Sequence, residues 1–135
     1  MSLPPILRRL RIPAIGAPMF IVSNPKLVIA QCTLGIVGSF PALNARPASL
    51  LGEWIHKITE ALASWDRAHP DRPSAPFAVN QIVHRTNDRF DQDMQVCEQW
   101  KVPIVITSLG ARTELNQAVR AWGGVTLHDV IDDRR

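Results

Sequence analysis

Short apolar runs recur along the chain and are separated by amphipathic stretches. The runs follow turn-forming residues and do not alternate apolar with polar positions, as strands with one solvated face would. Near-continuous apolar strands are typical of a parallel sheet that is covered on both faces. Five strands are predicted, over residues 14–19, 35–39, 77–81, 103–107 and 124–128.

Helical periodicity fills the intervals between the predicted strands. Asn24 and Pro25 predict a helix start, because asparagine caps free N–H groups and proline suits the first helical position. Asn87 is predicted to cap the third helix, and Gly123 to end the fourth. The second helix is predicted after Pro47, from apolar residues at four-residue spacing: Leu50, Trp54, Ile58 and Leu62.

Repeated strand–helix–strand units with short joins predict parallel strands that are connected by right-handed crossovers. The predicted fold class is therefore α/β: a partial TIM (βα)8-like barrel, with about four βα units plus a fifth parallel strand. A complete barrel of this kind needs about 250 residues. Residues 1–135 are accordingly predicted to form the N-terminal half of one barrel domain, truncated just after its fifth strand.

The composition argues against several classes of partner. The net charge is +3, and no basic stripe is interleaved with aromatic residues, so nucleic-acid binding is not expected. The chain has no apolar run of about 18 residues, so no membrane span is predicted. Residues 1–11 lack the apolar stretch of a signal peptide, and a cytoplasmic location is predicted. Asp132 and Asp133 are predicted to be a solvated tail.

The cysteines and glycines form no recognisable metal, redox or phosphate motif. Cys32 and Cys97 each lie in a predicted helix and form no C-x-x-C pair, so both are predicted to be buried free thiols. No cysteine or carboxylate stands at metal-ligand spacing, and no metal site is predicted. Gly35, Gly38 and Gly110 form no phosphate-binding loop.

Ligands of parallel α/β folds gather at the carboxyl ends of the strands. Asn80 and Gln81 end the third predicted strand, and each donates and accepts hydrogen bonds, so they suit the carbonyl and imide edges of a flat heteroaromatic ring. His128 suits donation to an anionic ring or to a substrate oxygen. The full set of candidate residues at the strand ends is Ala17, Pro18, Met19, Asn80, Gln81, His128 and Asp129.

A purely structural role stays open for three of these residues. An asparagine at a strand end, such as Asn80, also satisfies the backbone groups of a turn. His128 is equally compatible with a histidine whose hydrogen bonds are made within the protein. Met19 is equally compatible with filling of the core.

Five segments together carry a resemblance to a known family. They are residues 13–23 (PAIGAPMFIVS), 35–44 (GIVGSFPALN), 75–84 (APFAVNQIVH), 107–112 (TSLGAR) and 128–131 (HDVI). In this order they resemble the N-terminal half of the nitronate monooxygenases, once called 2-nitropropane dioxygenases. The resemblance covers nearly the whole chain.

The resemblance implies a TIM-barrel enzyme that binds FMN without a covalent link. Members of the family oxidise alkyl nitronates with O2 to a carbonyl compound and nitrite, so a small nitronate and O2 are the implied partners. The first three candidate residues would line the isoalloxazine, Asn80 would bond the flavin with Gln81 beside it, and the last two would lie where related enzymes contact it. The implied cofactor-binding residues are thus Ala17, Pro18, Met19, Asn80, Gln81, His128 and Asp129.

The family's presumed catalytic histidine and its FMN-phosphate loops are expected beyond residue 135, so no catalytic residue is assigned within the chain. An open sheet exposes its edges and one apolar face. We therefore expect weak FMN binding, impaired activity, and either self-association or pairing with a complementing half-barrel. Two alternatives stay open: an FMN-dependent enoyl reductase-like barrel fragment, and an inactive fragment or half-barrel interaction module.

Overall fold

Helices and strands alternate regularly in the computed structural model, which describes residues 2–131. In chain order the elements are α1 (Pro25–Leu34), β1 (Gly38–Pro41), α2 (Leu50–Ala68), β2 (Phe77–Ile82), α3 (Phe90–Gln99), β3 (Ile104–Ser108), α4 (Thr113–Ala121) and β4 (Val125–His128). Short 3₁₀ turns cover Pro5–Leu7 and Ala42–Asn44. The predicted acidic tail, Asp132 and Asp133, lies outside the described residues.

The strands form one parallel sheet in the order β1-β2-β3-β4. Its register places Asn80 beside Pro41 on one side and beside Ile106 on the other, with Leu127 next to Ile106. A helix lies between each pair of consecutive strands along the chain, as parallel pairing requires. The predicted α/β fold class, a partial TIM-like barrel of βα units, is confirmed. The predicted self-association and the complementing half-barrel stay predictions.

The N-terminal strands differ from their predicted bounds. The predicted first strand is reduced to a single parallel bridge between Ile15 and Val37. Pro13 and Pro18 flank this bridge, and because proline has no N–H to donate, a longer ladder does not form there. The next strand begins at residue 38 rather than 35, because Gly35 adopts a left-handed φ of 97° and ends α1.

Two of the three predicted helix ends are confirmed. The Asn24 side chain accepts a hydrogen bond from the Leu27 N–H at 3.0 Å and so caps α1. Gly123 follows α4 with a φ of 88°. The predicted cap at Asn87 is wrong, because Arg89 occupies the cap position of α3; Asn87 Oδ1 accepts from the Arg89 N–H at 3.1 Å, just before the helix. In the described part of the chain, no helix has the length and apolarity to cross a membrane.

The pleat of the strands divides the buried side chains between two faces, since successive residues point in opposite directions. One face packs against α1 to α4 and carries Phe40, Phe77, Val79 and Val105. The other, which we call the inner face, carries Val37, Ala78, Ile104 and Ile106. Residues of the N-terminal segment, Ile6, Leu7 and Leu10, cover part of the inner face.

Close contact between α1 and β1 depends on Gly38. A Cβ atom at this position would lie 2.5 Å from the Val28 carbonyl oxygen and 3.1 Å from Cys32 Sγ, both in α1. A backbone oxygen cannot withdraw unless the whole helix shifts. Gly52 in α2 differs, because an added Cβ would lie 3.7 Å from its nearest neighbour, an ordinary contact.

We therefore expect opposite effects of one added methyl group at these two glycines. Gly38→Ala should lower the free energy of unfolding by about 1–3 kcal/mol, because α1 must move away from the sheet. Gly52→Ala should raise it by up to about 1 kcal/mol, because alanine favours a helix interior. Urea unfolding followed by circular dichroism measures both. An unchanged unfolding midpoint for Gly38→Ala would contradict the packing described for α1.

Candidate functional site

A pocket of about 430 Å³ opens at the carboxyl ends of the strands. It lies on the inner face, beyond the residues that the N-terminal segment covers. Its walls are mostly apolar, with one amide, one hydroxyl and one carboxylate among them. The lining residues are Ala17, Pro18, Phe20, Pro41, Leu43, Asn80, Ile82, Ser108 and Asp129.

Asn80 provides the most deeply placed polar group of this pocket. It is only 4% exposed, and its Nδ2 donates to the Ile106 carbonyl at 3.0 Å and to Ser108 Oγ at 2.9 Å. These two acceptors fix the orientation of the amide. If the amide were flipped, its oxygen would face the Ile106 carbonyl oxygen, and two acceptors cannot form a hydrogen bond. No donor in residues 2–131 bonds the Asn80 Oδ1 atom. The pocket therefore contains an oriented acceptor that is accessible to a ligand and that no donor within residues 2–131 uses.

Ser108 extends this polar group across the sheet. Its hydroxyl accepts from Asn80 and lies 3.4 Å from Asp129 Oδ2, to which it donates. The Asp129 N–H donates to the Thr107 carbonyl at 2.8 Å, which fixes the backbone just after β4. One amide, one hydroxyl and one carboxylate thus line the pocket in sequence from β2 to the end of β4.

Residues 17–23, which we call the rim loop, form the wall opposite this polar row. Ala17, Pro18 and Phe20 line the pocket. Met19 does not, although it lies between them; its side chain is 41% exposed and its backbone N–H donates to Ser23 Oγ at 2.8 Å. The Arg46 guanidinium stands 5.1 Å from the centre of the Phe20 ring, a cation–π contact at the outer edge of the wall.

Gln81 is placed on the opposite face of the sheet from the pocket. It is completely buried, and its Nε2 lies 3.4 Å from Cys97 Sγ in α3. Because Asn80 and Gln81 are consecutive in β2, the pleat points them to opposite sides. Of these two amides, only Asn80 therefore lines the pocket.

His128 also lies away from the pocket, in register with Gln81 and Thr107. Its Nδ1 forms a hydrogen bond with Thr107 Oγ1 at 2.5 Å. This contact fits the alternative interpretation, in which the hydrogen bonds of His128 are made within the protein. It lines a different cavity of about 540 Å³ between α4 and the edge of β4. That cavity shares no lining residue with the 430 Å³ pocket.

The structure thus brings together four of the seven predicted residues: Ala17, Pro18, Asn80 and Asp129. The other five lining residues were not among the predicted binding residues: Phe20, Pro41, Leu43, Ile82 and Ser108. Ser108 could have been found from the register, because it follows Ile106 by two residues and so shares the face of Asn80. Phe20 directly follows the predicted residues Ala17, Pro18 and Met19, in a segment that carries the family resemblance. Within the described range, no three His, Cys, Asp or Glu side chains group closely enough to hold a metal ion.

Comparison with known proteins supports the fold and little else. No protein-family model matches the chain, and no curated protein matches it by sequence. Among solved structures, a mutant of FabK from Thermotoga maritima is similar, with a TM-score of 0.73 and 21% identity. The similarity covers 95% of this chain but 38% of FabK, so the chain spans well under half of that protein. At this identity the match shows a shared TIM-barrel-like fold.

The burial of Cys97 behind Gln81 leads to a prediction about both thiols. Burial raises the pKa of Cys97 to about 12, opposed by the Gln81 hydrogen bond, and raises that of Cys32 to about 11. At pH 8 only about one Cys97 in 10⁴ would be a thiolate, the form that reacts. We expect the native protein to resist a disulfide dye, and both thiols to react after unfolding in urea. Rapid labelling of Cys97 in the native protein would contradict the placement of Gln81 and α3.

Proposed function

We propose that this chain is the N-terminal half of an FMN-dependent oxidoreductase barrel, and that its 430 Å³ pocket receives the flavin ring. The observation that carries the proposal is Asn80, whose amide is held in one orientation and whose Oδ1 has no donor within residues 2–131. An oriented amide oxygen that opens into a mostly apolar pocket is the kind of polar group that fixes a small ligand in such a site. The imide N–H of an isoalloxazine is a donor of the required kind.

The remaining lining residues also suit a flat, largely apolar ring. Pro18, Phe20 and Ile82 offer apolar surface for the faces of the ring, which is typical of small-molecule sites with few oriented polar groups. The backbone at Ala17 can approach closely because its side chain is small. The family resemblance assigns no FMN-phosphate-binding group within residues 1–135. This chain would therefore hold the ring and not the phosphate.

Bound FMN would supply an electron acceptor that takes electrons from an alkyl nitronate and passes them to O2. The residues of this chain have other tasks in that reaction. Asn80 would orient the ring, and Ser108 with Asp129 would keep the Asn80 amide in its orientation. Pro18 and Phe20 would keep water from the ring face. We propose nitronate oxidation, to a carbonyl compound and nitrite, as the activity of the assembled barrel.

An FMN-dependent enoyl reductase is the second candidate, and the fold similarity to FabK fits it comparably. The two candidates differ in their electron donor. A nitronate oxidase releases nitrite from an alkyl nitronate and consumes O2 without a nicotinamide. An enoyl reductase oxidises a reduced nicotinamide in the presence of an enoyl thioester. Both assays on the same FMN-supplemented preparation distinguish them, and activity in neither assay would support the inactive fragment or interaction module.

The ring-binding proposal is tested by titrating the protein with riboflavin and with FMN and following flavin fluorescence. Both should bind weakly and with the same affinity within about twofold, because only the ring would be bound. Asn80→Leu should weaken binding of both about tenfold, the effect of one lost hydrogen bond. The measurement is made in buffer in which circular dichroism shows the variant to be folded.

Gln81→Leu is the matched control, because it removes a completely buried amide that does not line the pocket, from the adjacent position in the same strand. It should leave the affinity of the folded protein for riboflavin unchanged. If riboflavin does not bind, or if Gln81→Leu weakens binding as much as Asn80→Leu does, the proposed pocket is wrong.

A further inference from the structure

The rim loop is held in place by one side chain that does not line the pocket. Asn44, the last residue of the Ala42–Asn44 turn, bonds the rim loop at three backbone atoms. Its Oδ1 accepts from the Ile21 N–H at 3.0 Å, and its Nδ2 donates to the Met19 carbonyl at 3.0 Å and to the Ser23 carbonyl at 2.8 Å. Both N–H groups and the oxygen of this amide are therefore committed to one loop.

The loop needs this support because of Ile21. Its φ is 69°, in the left-handed region, where a β-branched residue is a genuine outlier. Its side chain is 80% exposed, so burial of that side chain does not compensate for the strained backbone. Strained backbone of this kind persists only where surrounding contacts determine it, and it clusters at ligand sites. The Asn44 bond to the Ile21 N–H is one such contact.

The turn that carries Asn44 is itself anchored to α3. Arg89 donates from Nη1 to the Ala45 carbonyl at 2.7 Å and from Nη2 to the Ala42 carbonyl at 3.2 Å. Its Nη2 also pairs with Asp93 Oδ1 at 3.2 Å, and the two side chains are 17% and 1% exposed. Burial raises the pKa of the Asp93 carboxyl, and the Arg89 contact opposes that rise. A planar guanidinium suits this task, because its fork meets several acceptors at once.

These contacts form one continuous path from α3 to the pocket wall. Asp93 holds Arg89, Arg89 holds the turn at 42–45, and Asn44 in that turn holds the rim loop. The turn also supplies Leu43 to the pocket directly, and the rim loop supplies Phe20. Both walls that face the Asn80 row thus depend on the same anchor.

We propose that Asn44 is a positioning residue: it presets the rim loop in a strained conformation, so that Pro18 and Phe20 form the pocket wall before a ligand arrives. The Arg89–Asp93 ion pair fixes the turn from which Asn44 acts. The consequence for ligand affinity rests on the proposed ring-binding function. The consequence for the loop itself does not, and the two are measured separately.

Amide hydrogen exchange without flavin tests the loop. In Asn44→Ala, the Ile21 amide should exchange about tenfold faster, while amides of β2 and β3 keep their protection. In Asn44→Asp the carboxylate still accepts from Ile21 but cannot donate to the two carbonyls, so the Ile21 amide should stay more protected than in Asn44→Ala. Asn116→Ala is the matched control, because it removes an amide from α4 that has no bond to the rim loop. It should change neither the exchange of the Ile21 amide nor the protection of the β2 and β3 amides.

Riboflavin titration of the same variants tests the pocket wall. Asn44→Ala should weaken binding about tenfold relative to the parent chain, with Asn44→Asp between them and Asn116→Ala unchanged. Unchanged exchange at Ile21 in Asn44→Ala would overturn the proposal. Faster exchange with undiminished riboflavin affinity would overturn the role of Asn44 in the pocket and leave the ring-binding function standing. Faster exchange in a chain that binds no riboflavin at all would overturn the function and leave the positioning of the loop standing.

Discussion

The two-residue period of the parallel strands is the constraint on which the rest of this structure depends. Each strand must bury one set of side chains under the helices and present the other set to the inner face. Val79 and Val105 serve the first purpose, and Ala78 and Ile106 the second. Since the register aligns the strands, the assignment of one residue to a face fixes the faces of its neighbours across the sheet.

This period gives two adjacent polar rows unlike roles. Gln81, Thr107 and His128 are in register with one another. The Gln81 side chain bonds Cys97 in α3, and the Thr107 and His128 side chains bond each other. Asn80 belongs to the other set, and with Ser108 and Asp129 it lines the pocket. Both Asn80 Oδ1 and Gln81 Oε1 lack a donor within residues 2–131, but only Asn80 lines the pocket, which suits the inner row to a ligand.

Prediction from the sequence succeeded where the signal was local or periodic. Continuous apolar runs and a capping asparagine at residue 24 located the βα units, because such features act within a few residues. It failed at residues 14–19, where two prolines prevent a ladder. It also did not separate Asn80 from Gln81, or Asp129 from His128, although only the first of each pair lines the pocket. A strand end shows which residues reach the rim, but their face depends on register and on where the strand begins. Asn44 was not predicted as a site residue, because its bonds to the rim loop join segments more than twenty residues apart in the chain.

The central claim is that the inner-face pocket, and not the cavity beside α4, binds a flavin ring. Heteronuclear NMR of the labelled chain during a riboflavin titration tests it most directly. The account predicts shifts of the Asn80 side-chain amide and of the Phe20 and Asp129 backbone amides, with the Gln81 side-chain amide unmoved. Shifts centred on Asn116 and Arg120, which line the cavity beside α4, would contradict it.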